Sequence, residues 1–169
     1  MKYISILLII FFALPLSAKM LISPMDVMKQ SYSSNSKISK KDILLTSEQA
    51  KKIQQYAKIK LKSKKFKMFK ATKAGKTLGF GLLVNRKVRS KNAAVLYIIS
   101  KDSVLKSMEI IAFNEPMEYI PSKKWIQLFE NIKKPKNMPN ITGATMSAKA
   151  IVDGSKIAFS IYNEMLKDK

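Results

Sequence analysis

Two residue types are missing altogether from this 169-residue sequence: it has no cysteine and no histidine. Their absence excludes disulfides, thiolate zinc sites, iron–sulfur clusters, haem attachment through cysteine, and every nucleophilic arrangement built on a thiol or an imidazole. Any redox chemistry the chain performs must then be carried by an organic cofactor, because no side chain can act as a thiol/disulfide couple or as the commonest metal ligand. Ten methionines are present, but only Met25 and Met28 stand at helical spacing, which suits core filling better than a soft-metal site.

Acidic residues are also scarce. Against 32 Lys plus Arg there are 11 Asp plus Glu, for a formal charge of +21. Such a balance raises nucleic acid or an anionic membrane as partner. The lysines are scattered over the whole chain and no single-strand motif interleaves them with aromatics, so the expectation is a generally basic solvated surface with no nucleic-acid partner. Hydrophobic residues at 47% and charged residues at 25% are near globular averages.

No apolar run reaches the ~20 residues of a spanning helix. The longest apolar stretch follows Lys2 and contains Ile4, Ile6 to Ile10, Phe11 and Phe12, and it leads to Pro15, Ser17 and Ala18. This order is that of a secretory signal peptide over residues 1–18, with cleavage after Ala18 or retention as an N-terminal anchor, and with export to the periplasm or the outer face of the inner membrane. A lipoprotein anchor is excluded by the missing cysteine.

Residues 29–41 are almost all Lys, Ser, Gln and Asn. They predict a flexible leader over 19–45, ahead of one domain over 46–169. Thr46 with Gln49 resembles a capping box, and Ala50, Ile53, Ala57 and Leu61 recur at helical spacing, predicting a helix over 47–60. Phe66 and Met68, a turn at Ala74-Gly75-Lys76, and Leu78, Phe80, Leu82 and Val84 predict an antiparallel hairpin. Gly79 and Gly81 on its second strand either relieve crowding or mark a bulge, or admit another backbone or a flat ligand. Apolar runs at 93–99 and 104–113 bring the sheet to about four strands. Ser122 is placed to cap a short helix burying Trp125, Leu128 and Phe129, and residues 133–139 break structure at Pro135 and Pro139. Ala150, Gly154, Ile157, Ala158, Ile161 and Met165 predict a last helix. The expected fold class is α+β: a small antiparallel sheet with helices packed on one face.

Between the proline-containing loop and that last helix stands Asn140-Ile141-Thr142-Gly143-Ala144-Thr145-Met146-Ser147. The first N–H groups of a helix have no internal partner and the helix dipole adds positive charge, so the place suits an anion. Gly143 permits a close approach, and Thr142, Thr145 and Ser147 bring hydroxyls to the same point. Ordinary helix capping would use the same residue types.

Thr142-Gly143-Ala144-Thr145 resembles the S/T-G-A-T motif of the FMN-binding domain family, found in the flavin-bearing subunits of Rnf complexes and sodium-pumping quinone reductases. Its position near the C-terminus, before a long helix and followed by Ser147 and Lys149, is similar to that family too. A weaker likeness runs from Thr77 to Phe129, through Gly79, two strands, a loop with Glu115, Glu118 and Pro121, and an aromatic helix. The sequence departs from the usual pattern at Pro139, where Asp is usual, and at Ser122, where Gly often follows the loop proline.

The resemblance implies FMN joined by a phosphoester to Thr145, attached by a separate magnesium-dependent flavin transferase that uses FAD and releases AMP. It implies that Thr142, Gly143, Ala144 and Ser147 shape the phosphate turn, that Lys149 aids electrostatically, and that Tyr119, Pro121 and Trp125 contact the ring. For Trp125, core packing accounts for the residue equally well. The implied function is an exported electron carrier working with membrane-bound redox partner proteins. Two further classes remain open at this point: a flavin-dependent reductase of a small periplasmic acceptor, and a basic envelope-binding module without cofactor.

Overall fold

A computed structural model of the chain describes residues 20–33, 35–134 and 144–168. The expected signal peptide, and Thr142 and Gly143 of the motif, lie outside these residues. The fold is α+β, built on one five-stranded antiparallel sheet whose strands lie side by side in chain order. They are β1 (Lys37–Leu44), β2 (Lys65–Lys73), β3 (Lys76–Lys87), β4 (Asn92–Ser100) and β5 (Leu105–Phe113). Among the described residues, four α-helices accompany them: α1 (Pro24–Ser31), α2 (Ser47–Ala57), α3 (Lys123–Gln127) and α4 (Thr145–Met165).

The capping box at Thr46 forms as its sequence predicts. Thr46 Oγ1 accepts from the Gln49 N–H at 3.2 Å and Gln49 Oε1 accepts from the Thr46 N–H at 2.9 Å. The helix stops at Ala57 because Lys58 turns to the left-handed region at φ 55°, so Leu61 falls beyond it. Its Ala50, Ile53 and Ala57 join α4 on one face of the sheet, where Met68, Leu82, Tyr97 and Met108 lie across successive strands. α3 forms behind its Ser122 cap and buries Trp125, with Phe129 just beyond it; Leu128, expected inside, is 51% exposed. With only one turn of helix before it, Leu128 comes round to the solvent side.

The expected leader is the main correction. Residues 24–31 form α1 and residues 37–44 form β1, paired with β2 from Lys37↔Thr72 to Leu44↔Lys65. The polar composition that suggested a leader is that of an edge strand: six of eight β1 residues are exposed and three of them are lysine, which discourages further strand addition. Helix α1 buries Val27, Met28 and the following Tyr32 against Phe69, Ala71, Leu96, Ile98 and Ile111. The sheet is therefore covered on both faces, and it has a fifth strand.

The two β3 glycines make room for that second layer. A Cβ on Gly81 would fall 2.5 Å from Met28 Sδ, and one on Gly79 would run into the Tyr32 hydroxyl and the Ile99 carbonyl. The β2/β3 register also shifts beside Gly79, at Ala71/Thr72. Crowding explains Gly81, and crowding, a bulge and the close approach of the β4 backbone explain Gly79; the flat-ligand alternative has no space.

Gly154 answers the same need on the other face. The Tyr97 hydroxyl donates to the Ile151 carbonyl at 2.7 Å, and a Cβ on Gly154 would strike that hydroxyl. Alanine in place of glycine normally gains a helix ~0.5–1 kcal/mol. Here overpacking at ~1–3 kcal/mol, together with displacement of a buried hydroxyl, outweighs it. G154A is expected to lower the thermal midpoint measured by circular dichroism; a raised midpoint would contradict this packing.

Candidate cofactor site

The site is assembled at one end of the sheet from the β3–β4 turn, the loop after β5 and the first turn of α4. The turn closes with the Val88 N–H donating to the Lys91 carbonyl at 2.9 Å. Three consecutive N–H groups inside it, those of Arg89, Ser90 and Lys91, donate to Glu115 Oε1 at 3.2, 2.6 and 2.7 Å. This is a backbone nest around a carboxylate. The Lys91, Ser90 and Arg89 N–H groups hold the Glu115 carboxyl below the usual carboxylate range, against the opposing effect of its burial.

Glu115 thereby fixes the turn that carries Arg89. The Arg89 guanidinium lies over the Tyr119 ring, 5.0 Å from its centroid, a contact of about 0.5–1 kcal/mol at an exposed position. Tyr119 ends a short 3-10 turn, Met117–Tyr119, where the chain leaves the sheet. Arg89, Tyr119, Ala144, Thr145, Met146 and Ser147 together line an open depression of about 250 Å³.

Thr145 is the first residue of α4 and its side is exposed, whereas Ser147 is buried at 1% exposure. The N-cap residue, Ala144, has no side-chain oxygen to satisfy the first-turn N–H groups. An exposed hydroxyl, a helix N-terminus and a guanidinium thus meet at one concave place. No protein-family model matches this chain, and no curated protein matches its sequence.

Of the residues singled out in the sequence, Tyr119, Ala144, Thr145 and Ser147 come together here. Pro121 is buried and Trp125 packs on Phe129 with centroids 5.0 Å apart, inside the main core. Neither lines the depression, so Trp125 has the core-packing role. Lys149 is turned down the helix, its Nζ 2.8 Å from Asp153 Oδ2. Arg89 and Met146 went unnoticed in the sequence. The available signal was that the chain's only two arginines, Arg86 near the end of β3 and Arg89 in the turn after it, lie close together while lysine supplies every other cation.

A carboxyl whose folded-state pKa is depressed contributes stability above its unfolded value and loses that contribution as pH falls through the folded value. Glu115 should therefore weaken the turn only below the ordinary glutamate range near ~4.3. Thermal midpoints followed downward from pH 6 should fall more for the wild type than for E115Q. Parallel curves would mean that Glu115 does not clamp the turn.

Proposed function

We propose that this chain is an exported flavoprotein that carries FMN on Thr145 through a phosphoester bond and passes electrons between proteins outside the cytoplasm. The observation that carries the reading is that the last threonine of Thr142-Gly143-Ala144-Thr145 opens a 21-residue helix with its side exposed. The depression beside it fits a phosphate: Arg89 supplies a cation, and the helix N-terminus supplies N–H groups and the positive end of the dipole.

The depression, at about 250 Å³, is smaller and more open than the ~300–1,000 Å³ sites that usually hold a ligand without covalent help. A covalent bond would hold the phosphate end at a site of this size. So open a site would suit exchange of electrons with a partner protein more than turnover of an enclosed substrate, which favours the carrier over the reductase.

The motif resemblance implies attachment by a separate magnesium-dependent flavin transferase, which suits a Thr145 hydroxyl that no histidine of this sequence can activate. In that step the Thr145 hydroxyl gives up its proton to the transferase and its oxygen forms a bond to the flavin phosphate of FAD, while the bond to AMP breaks. When bound, the isoalloxazine would supply one- and two-electron chemistry. This chain's part is to hold the phosphate at Arg89 and the first turn of α4, and to keep Tyr119 beside it. Production of the exported chain beside an active flavin transferase should give a yellow protein whose flavin fluorescence survives denaturing electrophoresis. A colourless product would sink the proposal and favour the basic envelope-binding module.

A further inference from the structure

We propose that a second concave site, the cleft between β2 and β3, binds a small amphipathic anion: an apolar ring or chain bearing one phosphate or carboxylate group. The proposal does not rest on the flavin reading. The cleft arises because the two strands part. Their pairing runs from Lys73↔Lys76 to Lys67↔Leu83 and ends there, while β2 extends back to Lys65 and β3 stays paired with β4 as far as Lys87↔Asn92. Lys65 and Phe66 on one side, and Val84 to Lys87 on the other, have no paired residue across the gap.

The gap has an apolar floor and a cationic rim. Leu61, Phe66, Val84 and Ile157 of α4 close its base, and its volume is about 470 Å³, within the ~300–1,000 Å³ usual for small-ligand sites. Lys62, Lys65, Lys67, Arg86 and Lys87 surround it. Lys65 is offset by Asp42 at 3.3 Å and Arg86 by Asp153 at 3.4 Å. Arg86 Nε, buried, has no hydrogen-bond partner among the described residues, so Asp153 satisfies only part of the guanidinium. Lys62, Lys67 and Lys87 have no acidic partner among the described residues.

Cations around a concave apolar surface repel one another, and a bound anion relieves that repulsion. Inorganic phosphate would leave the floor unused, and a neutral hydrocarbon would leave the rim unused. Only a ligand with both parts gains from burial and charge together. The site lies at a different part of α4 from Thr145, since Ile157 is more than three turns further along the helix.

The test is titration of the purified chain with 1-naphthyl phosphate, followed by backbone amide NMR shifts and calorimetry. Expected is saturable one-to-one binding with shifts concentrated at residues 61–67 and 83–87. Inorganic phosphate and 1-naphthol should each bind at least about tenfold more weakly. The exposed double variant K67Q/K87Q should lose about tenfold in affinity, while K40Q/K41Q, the same charge change on β1, should lose less than about twofold. Equal loss in both variants would reduce the effect to general surface charge and overturn the proposal. So would shifts centred elsewhere, or a titration that does not saturate.

Discussion

Thr145→Ala is expected to abolish covalent flavin attachment completely while leaving the fold intact. The side chain is exposed at the first position of α4, and surface substitutions of this kind usually change stability by no more than about 0.5 kcal/mol. Loss of flavin would therefore reflect loss of the reacting oxygen and not of the structure. K149Q makes the discriminating comparison. Lys149 stands one turn further along and is paired with Asp153 at 2.8 Å, so its removal should leave attachment undiminished. Flavin fluorescence in the denatured bands, set against thermal midpoints of the same preparations, separates the outcomes. A fluorescent T145A protein would move the attachment point elsewhere; a colourless K149Q protein would mean that Lys149 acts at the phosphate after all.

Removal of residues 1–45 is expected to unfold the domain. This truncation tests the correction that α1 and β1 belong to the fold. It strips the backbone pairing from β2 and uncovers Phe69, Leu96, Ile98 and Ile111. Val27, Met28 and Tyr32 are all buried in α1 and just after it. At ~1.5–3 kcal/mol for each buried apolar side chain, their loss alone reaches about 5 kcal/mol or more, comparable to the ~5–15 kcal/mol that holds an ordinary domain together. A chain starting at Thr46 should give a collapsed, poorly dispersed NMR spectrum or aggregate. Native-like dispersion would restore residues 19–45 to the status of a leader.

Much of the fold was legible in local patterns because local interactions set those elements. The Thr46–Gln49 capping box, the β2–β3 hairpin and the period of α4 each announce themselves within a few residues. The β1 strand was not legible because its pattern, Lys37-Ile38-Ser39-Lys40-Lys41-Asp42-Ile43-Leu44, has only one buried position. An edge strand with a solvated surface is specified by its neighbour's backbone more than by its own side chains. The short apolar set of Val27, Met28 and Tyr32 likewise gains meaning only through Gly79 and Gly81, some fifty residues further on, which leave the space it fills.

At the site, the hydroxyls and the helix start could be read directly, since anion-binding geometry at a helix N-terminus is local. Arg89 could not. Its position depends on Glu115, in the loop after β5, closing the turn, a contact across 26 residues that no periodicity encodes. Trp125 shows the converse: an aromatic near the expected ring is drawn into the core by Phe129, because burial of its large apolar surface dominates its placement.

The proposed attachment uses one hydroxyl among three. Tryptic cleavage after Lys136 and Lys149 yields a single peptide, residues 137–149, in which Thr142, Thr145 and Ser147 carry the only hydroxyl groups. Tandem mass spectrometry of that peptide, from chain produced beside an active flavin transferase, should find an FMN phosphoester on Thr145 alone. An unmodified peptide, or the flavin carried by Thr142 or Ser147, would contradict the account.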